Sequence, residues 1–490
     1  MKTYKLYIDG KYISSSTKET FVSVNPANPK DILAKFHKAN ASDVEKAVRS
    51  AEKAFVKWSV IPAPKRGEIL LRAAELLRKE KKKLGKLVTR EMGKQILEGL
   101  ADVQEAIDVA EYMAAEGRRM FGYTTPSELR DKFCMTIRRP LGVVGLITPW
   151  NFPIAIPAWK LMPALICGNA CIIKPSSDSP VCVYELVRIL EQAGLPKGVI
   201  NIITGSGEVA GKALVEHPRV HGISFTGSKD VGEFVTQHAG LKKVGLELGG
   251  KNAIIIMDDA DLKLAAEGVV WGAFGTTGQR CTASSRVIVH KKLQNQFEKL
   301  LLKEVSKLKV GDGMNCDVGP LVNKNGLNKT AKYVEIGKKE GAKMLCGGKT
   351  INNNGGYFYS PTVFTNVKSG MKIAQEEIFG PVLSIISFNR IEEAFAIANN
   401  IEYGLSSAIY TNNIRNAFLA IDVLETGITY INSSTIGAEV HLPFGGVKAT
   451  GNGTREAGIE GIHEFSEVKT VYIDYSGKLQ KAQIDEFVEK

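Results

Sequence analysis

The chain has little from which to build a disulfide framework: seven cysteines in 490 residues, an odd number without regular spacing. Such usage fits reduced thiols, as in a cytosol, and excludes the small disulfide-stapled scaffolds. There is no uninterrupted apolar stretch long enough to span a bilayer, and Met1-Lys2-Thr3-Tyr4-Lys5 carries no apolar signal region. The expectation is therefore a cytoplasmic protein without a membrane partner. Cys167 and Cys171 lie four apart in an apolar run with no histidine pair nearby. Core packing is expected there, and no metal is expected in the chain. Charge of one sign is not gathered either: the net +12 comes from 64 Lys and Arg scattered among 52 Asp and Glu. The densest run, Arg78-Lys79-Glu80-Lys81-Lys82-Lys83, falls in an alanine- and leucine-rich amphipathic segment. It reads as a solvated helix face rather than a nucleic-acid patch.

The length exceeds what one hydrophobic core supports, so two or more domains are expected. Leu6 to Ile13 reads as a hairpin around an Asp9-Gly10 turn. Apolar residues at three- and four-residue spacing predict helices over 41–58, 63–84 and 95–118, the first opening with capping-box character at 41–45. Residues 126–140 are polar and alternating, as in an extended arm, and the alternating tail from Lys469 could pair with it. From Leu141 the pattern becomes strand and helix in turn. Strands are predicted at 143–147, 170–174, 199–203 and 222–225, with helices at 158–167, 181–193, 209–216 and 230–238. Buried apolar strands alternating with helices imply an α/β fold with a doubly wound parallel sheet. A second series, with strands at 253–257 and 287–289 around a helix from Asp261, suggests a second α/β domain.

Several runs carry chemistry. Cys281, in Gly278-Gln279-Arg280-Cys281-Thr282, is a thiol that needs a base or a lowered pKa to act as a nucleophile; Arg280 and a nearby helix start could supply the latter. Read alone, it is an inert buried cysteine. Glu247, between apolar residues and ahead of two glycines, would be raised towards neutrality by desolvation and suit a general base, or would be an exposed strand-end carboxylate. Asn151, in Thr148-Pro149-Trp150-Asn151-Phe152-Pro153, offers an N–H to an oxyanion, or is simply a turn residue. Phe225-Thr226-Gly227-Ser228 opens a helix where a pyrophosphate could sit, although it is not the Gly-x-Gly-x-x-Gly fingerprint. Lys174, at a strand end, could reach ribose or phosphate. Glu376-Glu377-Ile378-Phe379-Gly380-Pro381 could bring a carboxylate to ribose hydroxyls and a ring to a planar ligand, or be a helix end with a turn.

In this order, and with Pro443-Phe444-Gly445-Gly446, these runs resemble the aldehyde dehydrogenase superfamily over nearly the whole chain. The resemblance implies an aldehyde dehydrogenase fold: a Rossmann-like cofactor domain (1–123 and 141–250), an α/β catalytic domain (251–465) and a small β oligomerisation arm (124–140 and 466–490). It also implies a homodimer or homotetramer acting on a small-molecule aldehyde. Cys281 then attacks the aldehyde, Asn151 and the Cys281 N–H hold the oxyanion, and Glu247 activates the water that releases the acid. Lys160 matches a proton-relay lysine. Lys174 and Glu377 match the ribose-binding positions; Gly227, Ser228 and Gly232 the pyrophosphate turn; Trp150 and Phe379 the cofactor cleft. Thr148 and Gly207 complete the cofactor set. Trp159, Phe152 and Phe444 join Arg280 as substrate-binding residues.

One position departs from the NAD-preferring pattern. Ser177 stands where those members place a glutamate that would repel a 2′-phosphate, so the cofactor is NADP or NAD with NADP favoured; Asp178 is a rival carboxylate next to it. Arg280 either anchors a distal carboxylate of the substrate or pairs with a local acid as a structural residue. The stretches 63–67, 150–160 and 250–252 resemble the 2-oxoglutarate-semialdehyde and succinate-semialdehyde group, and 437–439 with 474–477 the aminoadipate-semialdehyde group. The expected substrate is a semialdehyde bearing a carboxylate. The alternatives are a glyceraldehyde- or lactaldehyde-type general enzyme and a non-phosphorylating glyceraldehyde-3-phosphate dehydrogenase. A CoA-acylating relative is disfavoured by the presence of Glu247, and a basic scaffold or nucleic-acid binder by the complete set of site residues.

Overall fold

A computed structural model describes residues 1–484; the last six residues of the expected arm, 485–490, lie outside the described residues. The first seven-stranded sheet runs, edge to edge, Lys243–Glu247, Gly222–Thr226, Val143–Ile147, Ala170–Lys174, Ile200–Ile202, Leu6–Ile8 and Lys11–Ile13. Its first five strands are parallel, and the N-terminal hairpin closes one edge antiparallel. Asp9 and Gly10 both have positive φ, 55° and 71°, as a two-residue hairpin turn requires. Successive strand residues face opposite layers. Val144 and Leu146 pack with helices Ala63–Met92, Ile96–Glu116, Ala155–Cys167 and Pro180–Gln192, whereas Val143 and Ile147 pack against Ala41–Trp58. Apolar strands covered on both sides are the doubly wound arrangement read from the sequence.

The second seven-stranded sheet runs Lys343–Cys346, Thr362–Thr365, Val382–Phe388, Ser284–His290, Asn252–Ile256, Ser406–Tyr410 and Ile428–Ile431, parallel apart from its first strand. A third sheet is small and antiparallel: Ser466–Asp474 pairs with Lys132–Pro140 along its length, and Thr124–Pro126 adds an edge. The polar arm and the alternating tail thus meet as strands of one sheet.

Local differences from the sequence reading have local causes. The capping box begins at Asn40, one residue earlier than read: its side chain takes the Ser42 and Asp43 N–H groups, and Asp43 returns to the Asn40 N–H. The second helix continues eight residues beyond 84, to Met92, because Leu84, Val88 and Met92 keep the apolar period; Gly93 at φ 95° ends it. The 209–216 helix starts as a π turn at Gly207–Gly211. The strands Thr20–Asn25 and Asn28–His37 were not foreseen. Among the described residues no helix is long and apolar enough to cross a membrane, and no three His, Cys, Asp or Glu side chains gather as metal ligands would. Cys167 and Cys171 are buried, and burial pushes the Cys167 thiol up to about 12 and that of Cys171 up as well.

Candidate active site

Ile147, Lys174, Thr226 and Glu247 all end parallel strands of the first sheet, so the motifs beginning there converge on the carboxyl edge, where open α/β sheets bind ligands. The loop carrying Cys281 reaches the same place from the second sheet, just ahead of Ser284–His290. Between them lies a cavity of about 460 Å³. Trp150, Asn151, Gly227, Ser228, Glu377, Phe379 and Cys281 line it.

The nucleophile loop is strained. Thr276 and Thr277, both β-branched, have φ of 50° and 60° in the turn Gly275–Gly278. Such conformations cost about 1–3 kcal/mol each and persist only where the surroundings impose them. Here a buried carboxylate does so: Glu98 Oε1 accepts from the Thr276 N–H at 2.8 Å, the Thr276 hydroxyl at 3.0 Å and Arg280 Nη2 at 2.7 Å. Gln279 fixes the far side, its Oε1 accepting from the Val322 N–H and its Nε2 donating to the Thr276 and Pro320 carbonyls. Asn151 Nδ2 donates to the Gln279 carbonyl at 3.0 Å, which ties the expected oxyanion donor to this loop and leaves the second amide hydrogen.

Arg280 does not lower the pKa of the thiol as expected. Its side chain turns onto Glu98 and Thr276, and its guanidinium lies over the rings of Phe152 and Trp271. The Cys281 thiol is pushed up, first by burial and then by the negative charges of Glu247 and Glu377. Against this, the Thr282 and Cys281 backbone N–H groups favour the thiolate. A base is therefore required. Glu247 is 3% exposed, and neither carboxyl oxygen has a hydrogen-bond partner among the described residues. Burial, then the charge of Glu456, raises its pKa well above the usual carboxylate range, so it can take a proton near neutrality. The exposed-carboxylate alternative is excluded.

The cofactor candidates surround the remaining part of the cavity. Glu377 is half-buried and accepts from the Gly250 N–H at 2.9 Å; a Cβ on Gly249 would stand 2.6 Å from its Oε2, so only glycine lets the carboxyl approach. Phe379 meets Trp150 edge to face, centroids 5.4 Å apart, and holds a φ of 60°. Lys174 is buried, with its ammonium lowered to about 8 by desolvation. Lys174 Nζ and the Ser177 hydroxyl both donate to the Gly205 carbonyl, at 3.3 Å each. Ser228 begins the helix Lys229–His238 without any side-chain cap, which leaves its first N–H groups for an anion. Gly232 packs that helix against Leu248, and a Cβ on Gly207 would meet nothing. Thr148 Oγ1 and Thr226 Oγ1 are buried without partners among the described residues. Such orphaned hydroxyls, with the uncapped helix, fit a dinucleotide.

A model of the aldehyde dehydrogenase family matches residues 12–471. The chain belongs to the aldehyde dehydrogenase family. It is 42% identical, over 96% of its length and 98% of the relative, to a protein from Bacillus subtilis named alpha-ketoglutaric semialdehyde dehydrogenase. It is 41% identical, over 96% and 99%, to one from Saccharolobus solfataricus named 2,5-dioxopentanoate dehydrogenase. Among solved structures, an NAD-dependent aldehyde dehydrogenase from Sinorhizobium meliloti superposes with a TM-score of 0.95 at 35% identity, covering 98% of this chain and 96% of that one. A betaine aldehyde dehydrogenase variant from Staphylococcus aureus in complex with NAD+ gives 0.94 at 34%, covering 97% of each. This aldehyde dehydrogenase is therefore an oxidoreductase using NAD(P), with the aldehyde dehydrogenase fold.

The substrate-side residues form two groups. Trp159 meets Phe444 edge to face, centroids 5.1 Å apart. Phe152 lies under Lys94 Nζ, 3.6 Å from its ring centre, and Lys94 pairs with Asp102 at 3.0 Å, both fully buried. Lys160 is buried, donates to the Ser224 hydroxyl at 2.8 Å and pairs with Glu456. The sequence reading missed Glu98, Lys94, Asp102, Ser224 and Glu456. Apart from Lys94 and Asp102, their partners lie tens to hundreds of residues away, and no local pattern marks them.

If Glu98 clamps the strained turn, Glu98→Gln lowers kcat/KM about tenfold or more. It also reduces unfolding free energy by about 3 kcal/mol, as loss of one partner of a buried pair does. Thermal unfolding and steady-state rates check both; unchanged values would contradict the clamp.

Proposed function

We propose that this aldehyde dehydrogenase oxidises 2-oxoglutarate semialdehyde (2,5-dioxopentanoate) to 2-oxoglutarate, with Cys281 as nucleophile and Glu247 as general base. The observation that carries the reading is the near-full-length identity of 41–42% to two relatives named for that substrate. Two features of the site support an anionic, oxygen-rich substrate. Arg280 Nε and Nη2 are held by Thr276 and Glu98, which fixes the plane of the guanidinium, and its remaining donors suit a carboxylate. The Trp159 indole N–H is buried without an acceptor among the described residues, and a polar substrate would satisfy it.

Glu247 takes the thiol proton as Cys281 Sγ bonds to the aldehyde carbon. The second Asn151 amide hydrogen and the Cys281 backbone N–H receive the developing oxyanion. When bound, the oxidised cofactor supplies a cationic nicotinamide ring whose C4 accepts the hydride. A thioester on Cys281 remains. Glu247 then removes a proton from water as the water oxygen bonds to the acyl carbon; the C–S bond breaks to release the carboxylate, and the second proton of that water passes to the sulfur and restores the thiol. Lys160 and Glu456 carry protons away from Glu247.

We read the cofactor as NADP+ in preference to NAD+. Ser177 and Lys174 donate to one carbonyl and so sit together, offering a hydroxyl and an ammonium to a 2′-phosphate. The rival Asp178 accepts from Asn323 Nδ2 at 3.1 Å and is engaged there. The division into a cofactor domain at 1–123 and 141–250, a catalytic domain at 251–465 and an oligomerisation arm is kept as part of this reading. Exposed Phe133, Val468, Tyr472 and Ile473 on the arm sheet support its burial in a homodimer or homotetramer. Seven free cysteines suit a reducing cytoplasm.

Arg280→Leu is expected to lower kcat/KM for 2-oxoglutarate semialdehyde about tenfold or more beyond any loss on propanal, because only the acid uses the guanidinium whereas both substrates share the turn that Glu98 holds. Equal losses on both would remove the anchor. Ser177→Glu is expected to shift the NADP+/NAD+ ratio of kcat/KM towards NAD+ about tenfold or more, through like-charge repulsion and the carboxylate's bond to ribose hydroxyls. An unmoved ratio would contradict the 2′-phosphate assignment.

A further inference from the structure

Beyond Glu247, buried ionisable groups continue along the edge of the first sheet, and the reaction as described leaves one of them without a role. Lys243, Gly245 and Glu247 share one face of their strand, because side chains alternate. On the neighbouring strand Ser224 is the register partner of Gly245. Glu464, at the end of the helix Glu460–Glu464, lies directly on that pair: a Cβ at Gly245 would stand 2.0 Å from Glu464 Oε1. Glu464 is 7% exposed, makes no ion pair within 4 Å among the described residues, and its Oε1 has no hydrogen-bond partner there. A buried carboxyl so poorly satisfied destabilises the fold unless it serves a purpose.

Its surroundings give it one. The Ser224 hydroxyl accepts from Lys160 Nζ at 2.8 Å, lies 3.5 Å from Glu456 Oε1, and also acts on the Glu464 carboxyl. Lys160 pairs with Glu456, and Glu456 is the strongest charge acting on Glu247. On the outer side, Lys243 Nζ donates to the His463 and Ser466 carbonyls, where the helix joins the arm strand. The charged groups facing Glu464 are therefore Glu456, Lys160, Lys243 and Glu247 itself. Burial and Glu456 push Glu464 up to about 7, where it exchanges protons readily.

We propose that Glu464 is the outer station of a proton path that runs from Glu247 through Glu456, Lys160 and Ser224 to the arm side of the molecule. The path rests on Glu247 as base. Each turnover brings Glu247 one proton from the thiol and one from water. Glu247 passes a proton to Glu456. Lys160 then gives a proton to the Ser224 oxygen as the Ser224 hydroxyl proton moves to Glu464, and Glu456 reprotonates Lys160. The net transfer is one proton from Glu456 to Glu464, with no bond to carbon or sulfur altered. Glu464 touches no reacting atom and acts only through its neighbours.

Stopped-flow NADPH formation with 2-oxoglutarate semialdehyde and with propanal tests this on the full-length enzyme. In Glu464→Gln and in Ser224→Ala the first-turnover burst is expected to persist. Steady-state turnover should fall about tenfold, imidazole buffer should restore it as a diffusible proton carrier, and Glu464→Asp should keep most of it. Turnover and pH profile within about twofold of the parent in both variants would overturn the path, as would loss of burst and turnover together without imidazole rescue. Glu247→Gln separates the two readings: if it turns over normally, the base assignment fails. If it loses both burst and steady-state turnover while Glu464→Gln is unaffected, only the path fails.

Discussion

A carboxyl group that the protein leaves without a hydrogen bond organises this molecule. Glu247 ends the parallel edge strand of the first sheet, is almost wholly buried, and has no donor among the described residues. Desolvation disfavours its charge, so it holds a proton to higher pH than an exposed glutamate and becomes a base when the proton leaves. The thiol across the cavity is raised by the same burial and by the acid itself. Neither group is activated alone. In the proposed mechanism the site works as a pair in which one gives up the proton that the other accepts, and a bound oxidised cofactor would supply the missing positive charge.

The second constraint is steric. Cys281 stands on a turn whose two threonines occupy a backbone region that β-branched residues avoid. Glu98 and Gln279 hold that turn from opposite sides, and Glu98 binds Arg280 with the same oxygen. Positioning of the nucleophile and orientation of the proposed substrate anchor are therefore coupled through one carboxylate. A change in how the anchor is held reaches the nucleophile through two bonds' worth of structure rather than through the cavity.

Much of the fold was legible because its driving pattern is local. Val143–Ile147 and Ala170–Lys174 are continuous apolar runs, covered on both faces, and their limits in the structure match those read from the sequence. The first helix runs from Ala41 to Trp58 as its period predicts. The strands Thr20–Asn25 and Asn28–His37 escaped notice because they are partly exposed and mix polar with apolar residues. In the site, glycine turns, the lone cysteine and the glutamate between leucines could be read along the chain. The groups that tune them could not: Glu98 is 182 residues from Arg280 and Glu456 is 296 from Lys160, and only the folded sheets bring them together. Arg280 shows the same gap, since its partner decides whether it lowers the thiol pKa, and that partner lies on another helix.

The most direct test of the central claim is the mass of the enzyme during turnover. The parent enzyme, mixed with 2-oxoglutarate semialdehyde and NADP+ and quenched in acid during its first turnover, is predicted to carry one acyl group, which peptide mapping places on Cys281, whereas Glu247→Gln is predicted to acylate at least about tenfold more slowly. Acylation of Glu247→Gln at the parent's rate, or an adduct on any residue other than Cys281, would contradict the paired thiol and carboxyl.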